Sequence, residues 1–138
     1  MARGKRVRVH RSQAKSYLSK AQEFLAQAHD AQRAERWDAA MLNAIHAGIS
    51  ASDAATIALS GQRSADPDHM RSADLLEEVA PASREIRGQA TQLRRLLARK
   101  NAVEYESRRS RKSDVVDAVK RADRLTAWVV DVVREARL

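Results

Sequence analysis

Four side chains close together in the sequence have types suited to holding a phosphate or a base: Arg99, Lys100, Asn101 and Tyr105, within RKNAVEY. The guanidinium and ammonium supply charge, the amide both donates and accepts hydrogen bonds, and the phenol offers a ring on which a base can stack. Residues 101 and 105 are four apart, so on a helix they share one face. Immediately after them comes ESRRSRK, residues 106 to 112, which contains no apolar residue. Its Arg108, Arg109, Arg111 and Lys112, together with Arg95 and Arg99 upstream, are the candidate nucleic-acid contacts. A solvated helix end followed by a charged loop would have the same composition, and spacing alone does not separate the two readings.

The histidines are weaker candidates. His29 and His46 each invite a role as a base, but neither has a second histidine or a carboxylate at ligand spacing in the sequence. Asp53 is seven residues, two helical turns, from His46, which is too far for direct contact. The chain has no cysteine, which excludes disulfides, thiolate zinc sites, cysteine nucleophiles and iron–sulfur clusters. These residues suggest no metal site and no cofactor.

Charge is unevenly placed. Lysine and arginine number 26 against 18 acids, a net charge of +8. From Met1 to Lys20 there are seven basic side chains (Arg3, Lys5, Arg6, Arg8, Arg11, Lys15 and Lys20) and no acid, and from Arg84 to Lys112 there are ten against three glutamates. Such clusters favour a phosphate-rich or acidic partner, because each neutralised phosphate releases counterions. No run of eighteen apolar residues occurs, and MARGKRVRVH lacks the hydrophobic segment of a secretory signal, so the expectation is a cytoplasmic protein without a membrane span. At 138 residues and 43% hydrophobic, the chain fits one domain with one core. The expected division is a basic arm over 1–11, with an extended piece at Val7 to Val9, and a helical domain over 12–138.

The elements that must position these residues are helical. Trp37 to Leu59 is apolar or small on nearly every side: Trp37, Met41, Ala44, Ile45, Ile49, Ala55 and Leu59 recur at helical spacing, and alanines fill much of the rest. That pattern predicts a helix inside a bundle, ended by Gly61 in the left-handed conformation. Ala14, Tyr17, Leu18, Ala21, Phe24, Leu25 and Ala28 predict a preceding helix from Ser12 to the Asp30–Arg33 region, antiparallel to it across a short connection. Asp66-Pro67 predicts the start of a third helix marked by Met70, Ala73, Leu76 and Val79, which Pro81 ends or follows. Ile86, Ala90, Leu93, Leu96 and Leu97 predict a fourth, running on into Asn101 to Tyr105. Ser113 is the expected cap of a final helix with Val115, Val116, Val119, Ala122, Leu125, Val129 and Val133 on its buried stripe. The fold class is therefore all-α, an up-and-down bundle of four to five helices. Trp128 and Val129, Val130, Val132 and Val133 spread more widely around the last helix than one stripe requires, which points to a second subunit.

The order of these pieces carries a resemblance. RLLARKNAVEYESRRSRKSDVVDAVKRADRLTAWVVDVV is similar to the C-terminal half of HEPN (higher eukaryotes and prokaryotes nucleotide-binding) domains, and DAAMLNAIHAGISASDAATIAL resembles their alanine-rich second helix. The resemblance spans most of residues 12 to 135. It implies a HEPN-like bundle, commonly a homodimer, encoded beside a nucleotidyltransferase-like partner in a toxin–antitoxin or defence module. Many members are metal-independent ribonucleases whose motif is an arginine, a polar residue, often asparagine, and a histidine four to six residues beyond the arginine. Lys100 stands at the arginine place, or Arg99 with a longer gap, Asn101 at the polar place and Tyr105 at the histidine place. A phenol with its ordinary pKa of about 10 is a poor proton acceptor at neutrality. Lysine also lacks the two-pronged donor geometry of arginine.

Three readings follow. The first is a non-catalytic HEPN-like member of a two-gene toxin–antitoxin or defence module, binding RNA or a partner protein, either a toxin or an antitoxin. The second is a metal-independent ribonuclease toxin that still uses Lys100, Asn101 and Tyr105. The third is an interaction bundle without a nucleic-acid role.

Overall fold

Alanine lets one helix sit among all the others. The computed structural model describes residues 4–80 and 84–138, so Arg3 of the basic segment and Pro81, expected to end or follow the third helix, lie outside the described residues. In chain order the elements are β1 (Arg6–Arg8), a 3-10 turn (Arg11–Gln13), α1 (Ala14–Arg33), α2 (Trp37–Ser60), β2 (Gln62–Ser64), α3 (Met70–Val79), α4 (Arg84–Leu97), α5 (Lys100–Tyr105) and α6 (Lys112–Glu135). Among the described residues five helices have ten residues or more, and the only sheet is the two-stranded pair of β1 and β2. The fold is all-α.

Helix α2 packs against α1, α6, α3, α4 and α5. Fourteen of its residues are buried, seven of them alanine and one glycine. Small side chains let neighbouring backbones approach, and Gly48 shows how closely. A Cβ added there would lie 2.8 Å from Leu96 Cδ1 of α4, 3.6 Å from Leu93 Cδ1 and 3.8 Å from Leu125 Cδ2 of α6. Gly48→Val should therefore destabilise the chain by about 2–3 kcal/mol through overpacking. Gly88→Ala, where nothing lies within 4 Å of the added carbon, should stabilise it by about 0.5–1 kcal/mol through helix propensity. Urea denaturation of the two variants checks both signs. Gly61 ends α2 at φ 68°, donating its N–H to the Ile57 carbonyl, as its position predicts. The turn from α1 to α2 places a residue with a side chain in the same left-handed region: Glu35, at φ 59°.

The remaining helices turn inward the stripes their periodicity predicts, although Tyr17, Leu18, Phe24 and Leu25 of α1 and Met70 and Val79 of α3 are only half-buried. Ala14, Ala21 and Ala28 face inward from α1; Ile86, Ala90, Leu93, Leu96 and Leu97 do so from α4. Helix α6 buries Val115, Ala118, Val119, Ala122, Leu125, Thr126, Val129 and Val133. Val116, expected on that stripe, is half-buried, and Ala118 takes the place. Trp128 and Val132 pack against this chain's own core, so the spread of apolar residues on α6 is largely accounted for within one chain.

Four boundaries differ from expectation. The extended piece expected at Val7 to Val9 is a strand one residue earlier, Arg6–Arg8: β1 pairs antiparallel with β2, Arg6 opposite Ser64 and Arg8 opposite Gln62. Helix α3 starts at Met70: Asp66 accepts from the Asp68 amide at 2.8 Å, as a cap would, and from the distant Lys5 amide at 3.0 Å, but it is Asp68 that accepts from the Met70 amide, at 3.1 Å. The fourth helix does not run on. It stops at Leu97, and α5 begins a separate turn at Lys100, which lets Arg99 reach Asp114 on α6 at 3.3 Å. Ser113 lies inside α6, whose N-cap is Arg111 with no side-chain cap bond.

Candidate nucleic-acid interface

The break between α4 and α5 decides where the candidate residues point. Arg99 turns toward α6 and pairs with Asp114. Lys100, at the start of α5, donates to Glu104 Oε2 at 2.8 Å. That hydrogen bond is the main reason the Glu104 carboxyl lies below the ordinary carboxylate range. Asn101 and Tyr105 share the outward face, and Tyr105 is 78% exposed. The structure thus brings Asn101 and Tyr105 onto one face and Lys100 and Asn101 to one cavity of about 300 Å³, shared with His69. It does not enclose the phenol.

The basic loop is held in place by α2. Asp38, in the first turn of α2, accepts from the Ser110 amide at 2.8 Å, and its Oδ2 lies 3.6 Å from Arg109 Nε. Chiefly through the Ser110 bond, its carboxyl sits below the ordinary range. With the loop so pinned, Arg99, Arg108 and Arg109 line one cavity of about 220 Å³ between α2, α5 and α6, and Glu106 and Asp114 line it with them. Arg108, Arg111 and Lys112 are exposed and have no ion-pair partner among the described residues. Arg95 is exposed on α4, before the break.

Several neighbours of the site were hidden in the sequence. His46 stacks near Phe24, ring centroids 5.5 Å apart. It also feels His69, just before α3, and Lys100 and Glu104, both on α5. Burial first, and then the positive charge of Lys100, hold both His46 and His69 below the ordinary histidine range. Both imidazoles are therefore kept neutral around the Lys100–Glu104 pair. His29, which has no carboxylate at ligand spacing in the sequence, meets Asp123 of α6, Nε2 to Oδ1 at 2.8 Å. Asp53 is 9% exposed and its carboxyl is pushed up to about 7 by burial, against the opposing pull of Arg63 and Lys20. Among the described residues no three His, Asp or Glu side chains gather as a metal site would require, and no helix is long and apolar enough to cross a membrane.

No known protein-family model and no curated protein matches the chain.

Proposed function

We propose that the chain is a non-catalytic, HEPN-like RNA-binding protein, the neutralising or sensing member of a two-gene toxin–antitoxin or defence module with a nucleotidyltransferase-like partner. The observation that carries the RNA reading is the gathering of Arg99, Arg108 and Arg109 around one cavity, beside a tyrosine that is 78% exposed. Cations follow the backbone of a single strand, while an exposed ring stacks a base without regard to sequence. The module and the partner rest on the family resemblance alone, as does the homodimer.

Two features favour gripping over cutting. Lys100, at the arginine place of the nuclease motif, is neutralised by Glu104. Tyr105, at the histidine place, faces solvent rather than a water-excluding pocket where a proton transfer could be tuned. The test compares wild type, Tyr105→Phe and Tyr105→Ala on a labelled single-stranded RNA in the presence of chelator. RNA should stay intact with all three. Tyr105→Phe should bind as wild type does, and Tyr105→Ala should lose about 1–2 kcal/mol, the contribution of one stacked base. Cleavage that Tyr105→Phe abolishes would instead establish the ribonuclease reading.

A further inference from the structure

Strand β1 has one partner and one open edge. Val9 donates to the Gly61 carbonyl and Ala65 to the Lys5 carbonyl, each at 2.8 Å, on either side of the Val7–Arg63 pair. In an antiparallel ladder the bonded pairs alternate, so Lys5, Val7 and Val9 turn their backbone groups toward β2, and Arg6 and Arg8 turn theirs away from it. Among the described residues no other element packs substantially against β1, and the outward N–H and C=O of Arg6 and Arg8 meet no partner. Arg6 is held by Glu78 of α3 at 2.5 Å. Arg8, by contrast, is exposed and has no ion-pair partner among the described residues, and Val7 between them is 37% exposed. Past Arg8 the strand borders a cavity of about 630 Å³, which His10, Arg11 and Arg137 line with Arg8 and to which no Asp or Glu side chain contributes among the described residues.

An open strand edge is a template for another strand, and its charge selects which one. A second copy of this edge would set arginine against arginine, and like charges opposed across a ladder are unfavourable. A nucleic-acid backbone suits the cations, but its phosphates only accept hydrogen bonds, and the outward carbonyls of Arg6 and Arg8 need donors. A peptide supplies both donors and acceptors. We infer that the open edge of β1 takes on, as a third strand, an extended acidic segment of a partner protein. Its backbone pairs with Arg6 and Arg8, and its carboxylates meet Arg8 and, in the adjoining cavity, Arg137. The residues between those carboxylates fall on the face of Val7, where apolar side chains fit best. The cavity shares no lining residue with the one that gathers Arg99, Arg108 and Arg109, so the inference stands apart from the RNA reading.

The test follows amide hydrogen exchange by NMR in the full chain, with an octapeptide alternating glutamate and valine as probe and its lysine–valine counterpart as control. The glutamate peptide should bind saturably and slow exchange at the Arg6 and Arg8 amides, leaving Val7 and Val9, already bonded to β2, as they were. The lysine peptide should do neither. Arg8→Gln should weaken binding about threefold, the worth of one exposed ion pair. Arg8→Pro should weaken it by about a further tenfold, because it also removes an outward N–H, while proline at an edge position leaves the bonds to β2 in place. Two glutamate–valine peptides, N-methylated on opposite sets of alternate nitrogens, test the same point on the unaltered protein: one should lose binding and the other keep it. Equal binding of those two, or a glutamate peptide that leaves exchange at Arg6 and Arg8 unslowed, would overturn the inference. Protection of these amides by an adenosine RNA but not by the peptide would also overturn it and make the edge part of a nucleic-acid surface. Arg108→Gln with Arg111→Gln should leave peptide binding unchanged, so failure of the edge and failure of the RNA reading are told apart.

Discussion

Replacing Arg108, Arg109, Arg111 and Lys112 together by glutamine should lower affinity for single-stranded RNA by about a hundredfold to a thousandfold at roughly 0.1 M salt, and reduce the slope of log affinity against log salt by about 3. The magnitude follows from counterion release, in which each lost phosphate contact on a single strand removes about 0.7 from that slope. The change is expected to leave the fold intact. Three of the four side chains have no ion-pair partner among the described residues, and Arg109 meets Asp38 only at 3.6 Å with its own side chain 87% exposed. The loop keeps its anchor, because the bond to Asp38 comes from the Ser110 backbone amide. Titrations at several salt concentrations, with circular dichroism as the control on folding, read out both quantities. An unchanged slope in the folded variant would place the RNA elsewhere.

Asp53→Asn should stabilise the chain, and most strongly above neutral pH. The Asp53 carboxyl is 9% exposed within α2, and burial raises its pKa from 3.8 to about 7. A raised carboxyl means that the folded state holds the proton more tightly than the unfolded chain does. Its contribution to stability is fully present below 3.8, declines as pH rises between 3.8 and about 7, and is lost above that. At pH 8 the folded chain must carry a buried, ionised carboxylate. The gap corresponds to an upper bound of about 4 kcal/mol at 1.36 kcal/mol per unit. Asparagine removes the charge but retains polar atoms that need partners, so the expected gain is about 2 kcal/mol, or about 4–8 °C in Tm, at pH 8. At pH 5 the gain should nearly vanish. A variant equally stabilised at both pH values, or destabilised at pH 8, would show that Arg63 and Lys20 offset the ion more fully than burial penalises it.

What was legible in the sequence is what depends on periodicity and on local chemistry. The alanine pattern of α2 and the five apolar positions of α4 follow directly from a 3.6-residue repeat, and Gly61 follows from the left-handed conformation that glycine accepts. The boundaries that were missed are those where tertiary bonds compete with local signals. Asp66 has the sequence of a helix cap and bonds the Asp68 amide as one, yet it is also tied to the Lys5 amide, and α3 begins only at Met70, from whose amide Asp68 accepts. The apolar stripe of α4 continues past Leu97, but Arg99 turns to Asp114 and the helix breaks. For the candidate site, the cations of the loop were visible as a run of like charges. What holds that loop was not, because Asp38 precedes Ser110 by 72 residues. The histidines show the same limit. His29 and Asp123 are 94 residues apart, and His46 meets His69, Lys100 and Glu104 only after α2, α3 and α5 have packed.

The most direct test of the central claim follows a single-stranded RNA incubated with the wild-type chain in chelator, recording retention on a filter and strand integrity on a gel in the same samples. The account predicts that RNA is retained, that retention falls steeply as salt rises, and that the strand remains full length throughout. Rapid shortening of the RNA, or retention that is absent at low salt, would contradict it.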